Sequence, residues 1–156
     1  MVRIARADFI EKFTHDLSGE KVGLLLTLLD KKVLKFKQGD PNNSDSVNLF
    51  VLDKELWEKL APKGKVYNPQ DTYTTFKIDD LLDCFEQIGY YLVKEKIFTV
   101  DSVYEMFFTY IEYAWLNEDI QKYITYERGR IKKGGDIYTY FDDLYKECKK
   151  YQDNKR

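Results

Sequence analysis

The chain has 156 residues, of which 44% are hydrophobic, 16% aromatic and 33% charged, so it can bury the core of one ordinary domain. Its 25 basic and 27 acidic residues give a formal net charge of −2, which excludes a global positive field that would attract nucleic acid or an anionic membrane. We therefore predict a single domain over residues 1–156, with an N-terminal subregion 1–60, a loop 61–77 and a helical bundle 78–151.

The amino terminus and the cysteines indicate the compartment. The opening sequence, MVRIARADF, places charges where a signal peptide needs apolar residues, and no segment approaches the roughly 20 apolar residues of a membrane span. We expect a cytoplasmic chain without membrane association. Cys84 and Cys148 are too few for a disulfide framework and lack the spacing of a zinc site, so we expect both to be free and buried.

The N-terminal third permits two structures. In KVGLLLTLLDKKVLKFKQ, apolar residues from Val22 to Phe36 recur at helical intervals, which favours a helix. Apolar and lysine residues also alternate there, in a way that suits a hairpin around Asp30-Lys31-Lys32. Helix and hairpin both stay open for residues 22–52.

Two turn-rich segments, GDPNNSDS and APKGKVYNPQDT, separate this third from the rest of the chain. Between them, VNLFVL predicts a short strand. Asp53 follows it and is placed to cap a helix through Trp57 and Leu60.

The C-terminal half predicts four helices. The first is IDDLLDCFEQIGYYLVKE, where Asp79 or Asp80 is placed to accept hydrogen bonds from the first free amides. The other three are expected at about residues 99–116, 117–129 and 136–151. Because the connections are short, neighbouring helices should run antiparallel. The predicted fold class is mainly α, an antiparallel helical bundle, with a short β-hairpin or strand as the open alternative in the N-terminal third.

The segment EMFFTYIEYAW, Glu105 to Trp115, is unusually rich in aromatic residues. On a helix, Glu105, Thr109 and Glu112 form the polar stripe of an otherwise apolar cylinder. We interpret this segment as the central helix of the bundle, with its rings in the core. The alternative is an exposed aromatic face that binds a partner. Whether Glu105 and Glu112 have a role beyond the fold is left open.

No assembled set of catalytic or metal-binding residues is visible in the sequence. His15 is the one histidine, and no G-x-S-x-G nucleophile pattern accompanies it. Glu105 and Glu112 lack the Glu-x-x-His repeats of di-iron bundles. We therefore expect no catalytic site, metal or cofactor, and a small enzyme with a carboxylate site is a lesser alternative.

The most specific polar feature is ERGRIKKGGD, which contains Arg128, Arg130, Lys132 and Lys133 within six residues and has tyrosines on either side. Arginines near aromatic rings can hold a phosphate and stack a base, so these four residues are a candidate phosphate or nucleic-acid site. The structural interpretation is that a helix ends here with cations against its negative terminus, followed by a glycine turn.

Three consecutive patterns, LLDCFEQIGYYLVKEKIFTVDSVYEMF, YIEYAWLNEDIQKYITYERGR and IYTYFDDLYKE, resemble a family of small bacterial and phage-associated helical proteins of unknown function. The resemblance covers about residues 78–148 and implies a helical fold in a bacterial or phage setting, without an activity. Many members begin with a membrane helix, and the N-terminal third departs from the family there.

These observations predict a non-enzymatic helical module that acts by binding a protein partner or by self-association, in a process associated with phage or defence. The alternative function is binding of nucleic acid or a phosphate ligand through residues 128–133.

Overall fold

The computed structural model describes residues 2–18, 20–38, 49–60, 73–130 and 137–155. Within them the chain forms seven helices and three strands: α1 (Val2–Ser18), α2 (Glu20–Asp30), β1 (Leu34–Lys37), β2 (Leu49–Leu52), α3 (Lys54–Leu60), β3 (Tyr73–Thr74), α4 (Thr75–Val93), α5 (Val100–Leu116), α6 (Glu118–Arg130) and α7 (Thr139–Asn154). The predicted helical bundle with a small β element is confirmed.

The segment left open between helix and hairpin contains a helix followed by a strand. α2 ends because Lys32 adopts a left-handed conformation, with φ of 59°, and the amide of Val33 donates back to the Leu28 carbonyl at 2.9 Å. A helix continuing to Phe36 is therefore a wrong prediction. The hairpin around Asp30-Lys31-Lys32 is also wrong, because β1 pairs with the more distant β2, with Phe36 opposite Phe50.

The predicted strand and helix that follow are confirmed. β2 lies within VNLFVL and is the middle strand of an antiparallel sheet of order β1-β2-β3. The Asp53 carboxylate accepts a hydrogen bond from the amide of Leu56 at 3.1 Å and so caps α3. β3 and the start of α4 lie in the segment predicted as a loop over residues 61–77, and residues 61–72 lie outside the described part.

α4 and α7 form the most extensive helix pair in the described residues. The rings of Phe85 and Phe141 stack with centroids 5.2 Å apart, and both side chains are fully buried. A Cβ atom on Gly89 would overlap the carbonyl group of Tyr140. The two backbones therefore approach closely at a position where only glycine fits without a shift.

α7 receives its N-terminal cap from α4. Tyr138, the N-cap residue, makes no side-chain cap hydrogen bond, but the Glu86 carboxylate accepts from the Phe141 amide at 2.8 Å. Burial raises the pKa of Glu86 above its usual range, with a smaller contribution from Asp142, and backbone amides of α7 act in the opposite direction. Glu86 thus supplies a tertiary cap.

The predicted cap of α4 by Asp79 or Asp80 is wrong, because the helix already begins at Thr75. One oxygen of the Asp79 carboxylate instead accepts hydrogen bonds from the hydroxyls of Tyr123 and Tyr138, both at 2.6 Å. This carboxylate therefore connects α4 to α6 and to the start of α7. Burial, together with donation to Asp79, raises the pKa of Tyr138.

α5 and α7 run antiparallel along an aromatic seam. The rings of Trp115 and Tyr145 stack with their centroids 4.0 Å apart. At the opposite end of the two helices, the ring centroids of Tyr104 and Tyr151 are 5.1 Å apart. The interior side of α5 is buried as predicted, since Val103, Phe107, Phe108, Ile111 and Ala114 all belong to the core. Tyr104 and Trp115, predicted to be buried with them, are half-buried.

Candidate functional site

The exposed side of α5 carries large apolar side chains. Met106, Tyr113 and Leu116 are 42%, 50% and 59% exposed, and they are the large hydrophobic residues of this exposure within the described ranges. All three lie on one helix. Large apolar groups scattered singly over a surface need no explanation, but a set confined to one helix is a candidate for a functional surface.

Helical geometry places these side chains on one face. Met106, Thr109, Tyr113 and Leu116 follow one another at intervals of three or four residues, which is the spacing of one side of an α-helix. We call these four residues the outer face of α5. The core residues of α5 and its exposed outer face thus lie on two opposite sides of the same helix.

A groove runs along the outer face between α2 and α5. It has a volume of about 310 Å³ and is lined by Gly23, Leu26, Thr27, Asp30, Lys31, Thr109, Tyr110 and Tyr113. We call it the α2–α5 groove. Its two charged residues, Asp30 and Lys31, lie at the end of α2, and the rest of the lining consists of a glycine, a leucine, two threonines and two tyrosines.

The side of α2 that lines the groove has small residues at two positions, Gly23 and Thr27. A Cβ atom on Gly23 would meet nothing within 4 Å, so this position opens onto free space. Four residues later, the Thr27 hydroxyl donates to the Gly23 carbonyl at 2.8 Å, so its hydrogen-bonding capacity is used within α2. Small and internally satisfied side chains permit another helix to approach closely.

One end of the groove is held by Asn117, the residue between α5 and α6. Its amide nitrogen donates to the Leu29 carbonyl at 3.1 Å, and its amide oxygen accepts from the backbone of Ile120 at 3.0 Å. A single side chain thus fixes the C-terminal ends of α2 and α5 and caps α6. The groove walls are therefore preorganised at this end.

The two glutamates whose role the sequence left open lie at the edge of the outer face. Glu105 is exposed and its carboxylate lies 2.8 Å from the Lys155 ammonium group, and Glu112 is half-buried. They lie on the polar stripe predicted for this helix, and α5 is covered on its interior side, where its core residues lie. Both acids are surface groups beside an apolar stripe.

The predicted phosphate site is engaged within the chain where the structure describes it. Arg128 donates to the Ile137 carbonyl at 2.8 Å and pairs with Asp142 at 2.8 Å, which joins the end of α6 to α7. Arg130 pairs with the largely buried carboxylate of Glu127 at 2.7 Å. Lys132 and Lys133 lie outside the described residues.

A second groove lies between β1 and α6. It has a volume of about 630 Å³ and is lined by Phe36, Gln38, Glu118, Gln121, Lys122, Thr125 and Tyr126. Its charged residues are already paired, with Lys122 and Glu118 3.0 Å apart, and Gln121 donates to the Trp115 carbonyl at 2.7 Å. By volume alone the β1–α6 groove would be the better candidate functional site. The exposed apolar side chains instead favour the α2–α5 groove as the candidate.

Both cysteines are free, Cys148 buried as predicted and Cys84 half-buried. Burial raises the pKa of each thiol to about 12, so neither is an activated nucleophile. The single histidine, His15, is exposed on α1. Over the described ranges, no group of three or more metal-ligating side chains is close enough to hold an ion.

No helix among the described residues is both long and apolar enough to cross a bilayer. Comparison with protein-family models, with curated proteins and with solved structures gave no match to this chain.

Proposed function

We propose that this protein is a non-enzymatic interaction module whose α2–α5 groove and outer face of α5 bind a helical segment of a partner protein. The observation that carries the proposal is the confinement of Met106, Tyr113 and Leu116 to one side of one helix. Helices of partners commonly bind such grooves through apolar residues at helical spacing. A cytoplasmic setting, and an association with phage or defence in line with the sequence resemblance, belong to the same proposal.

The test is photo-crosslinking in the native cell. A benzophenone amino acid replaces Tyr113, and in a matched variant it replaces Tyr126, a tyrosine that lines the β1–α6 groove. We expect a discrete protein adduct from position 113, and we expect Met106→Lys to abolish that adduct because it places a charge in an apolar contact. An adduct from position 126 alone, or none from 113, contradicts the proposal.

Binding of nucleic acid or a phosphate ligand is the alternative with less support. Arg128 and Arg130 already pair with carboxylates, so a phosphate would have to displace these partners. Titration with a single-stranded oligonucleotide separates the two functions, because phosphate binding weakens steeply as salt rises. Replacing Arg128, Arg130, Lys132 and Lys133 by glutamine should leave partner crosslinking from position 113 intact.

A further inference from the structure

The charged residues of α5 share one sign. They are Asp101, Glu105 and Glu112, and the helix contains no lysine or arginine. With about 3.6 residues per turn, all three lie on the α7 side of the outer face, and Tyr110 lies on the α2 side. We call the three acids the acidic edge. The outer face is therefore bounded by a groove along one side and by negative charge along the other.

Pairing within the chain neutralises only part of the acidic edge. The ion pair between Glu105 and Lys155 is more than half exposed on both partners, so it contributes little and can exchange with another cation. No ion pair to Glu112 is present among the described residues. In the groove itself, neighbouring Asp30 and Lys31 carry opposite charges that offset each other. The acidic edge therefore determines the sign of the net charge along the outer face and the groove.

We propose that the partner segment is a cationic amphipathic helix, with an apolar stripe that packs on Tyr113 and the groove and with lysine or arginine residues that face Glu105 and Glu112. The inference rests on the proposed function and specifies the chemistry of the partner. Because the negative charge lies along one side only, it also fixes the rotation of the bound helix about its own axis. Complementary charge provides orientation and rejects helices of the wrong sign.

A second copy of the chain fits this surface less well. In a twofold symmetric, antiparallel pairing of two α5 helices, the two acidic edges lie along the same side of the interface. Glu105 and Glu112 of one copy would then face the same residues of the other copy. Like charges placed opposite each other in an interface are unfavourable.

The test uses the full chain and two labelled helical probes of about 18 residues, a length at which a helix can form. Both have the same leucine stripe, which is flanked by lysine in one probe and by glutamate in the other. By fluorescence anisotropy at low salt, we expect the lysine probe to bind at least about tenfold more tightly, and its advantage should shrink as salt screens the charges.

Two matched double variants separate specific from general charge effects. Glu105→Gln with Glu112→Gln should weaken the lysine probe about fivefold or more and remove most of its advantage. Glu58→Gln with Glu147→Gln removes equal charge from exposed sites on α3 and α7 and should leave both probes unchanged. Thermal melting verifies that each variant is folded.

The outcomes distinguish the inference from the function beneath it. Equal binding of the two probes, or an equal loss of affinity in the control variant, overturns the inference that the partner is cationic. Either result leaves the proposed function of the groove standing. Failure of both probes to bind, or binding of the lysine probe that the uncharged change Tyr113→Ser does not reduce, overturns the proposed function as well. A dimer in sedimentation that Tyr113→Glu dissociates assigns the surface to a second copy and overturns the inference.

Discussion

Two glycines show how differently two helix surfaces of this protein are used. At Gly89 on α4, a Cβ atom would overlap the backbone of Tyr140, whereas at Gly23 on α2 it would meet nothing within 4 Å. The absence of a side chain closes the α4–α7 interface in one place and widens the α2–α5 groove in the other. What a glycine does is therefore set by what lies opposite it.

The two surfaces also differ in how they are held. The α4–α7 interface combines the stacked rings of Phe85 and Phe141 with the cap that Glu86 provides. The α2–α5 groove is anchored at one end by the hydrogen bond from Asn117 to Leu29. A densely packed interface maintains the fold, while an open groove leaves apolar area exposed, and this is the area to which we propose that a partner binds.

The largest expected effect on stability is in the α4–α7 interface. Replacing Phe85 by alanine should lower the free energy of unfolding by about 3–5 kcal/mol, because a fully buried ring is lost and its cavity cannot collapse. The matched change, Tyr113→Ala on the outer face of α5, should stay within about 0.5 kcal/mol. Urea denaturation measures both, and similar losses at the two sites would remove the distinction between them.

The glycines themselves give the next prediction. Gly89→Ala should cost about 1–3 kcal/mol, because the added methyl group forces α4 away from the α7 backbone. Gly23→Ala should instead stabilise the protein by about 0.5–1 kcal/mol, since alanine is the better helix former and the site is open. The same substitution should weaken the lysine probe. If Gly89→Ala stabilised the protein, this would contradict the close approach of the α4 backbone to the Tyr140 carbonyl.

A smaller effect concerns pH. Because burial raises the pKa of Glu86 in the folded state, the folded protein binds this proton more readily than the unfolded chain. Its contribution to stability is therefore greatest below the unfolded pKa and declines as pH rises through the folded pKa. Glu86→Gln keeps an acceptor but cannot titrate.

We accordingly expect the stability of the Glu86→Gln variant, relative to wild type, to increase as the pH rises from about 4, near the ordinary pKa of a glutamate, through the higher folded pKa of Glu86. Asp83 is the comparison group, because its side chain is more exposed than that of Glu86. Its pKa is also raised, by partial burial and by the neighbouring Asp79 and Asp80. A difference that is constant with pH would mean that capping of α7 offsets the burial of the charge.

The smallest effect is expected at the thiols. With a pKa of about 12, each cysteine is almost entirely protonated at neutral pH, so labelling by a thiol reagent should be slow at Cys84 and slower still at the fully buried Cys148. Single serine variants assign the two rates. Rapid labelling at Cys148 would mean that the α7 side of the core opens.

Much of the fold was predictable because it depends on nearby residues. The four C-terminal helices were predicted to within a few residues, since apolar residues at a spacing of three and four report which side of a helix is buried. The Asp53 cap was predictable for the same reason, because donor and acceptor are three residues apart. The end of α2 was missed, since a left-handed Lys32 has none of the sequence signal that a glycine would give.

The sequence by itself determined that α5 is a strongly apolar helix, because hydrophobic periodicity is a local property. Only the tertiary structure decided that one side of α5 faces the core while Met106, Tyr113 and Leu116 face outward. It likewise decided that Asp79 binds two tyrosines and that Arg128 binds Asp142. Each of these outcomes depends on residues that are distant in the chain, and packing brings such residues together without leaving a periodic signal.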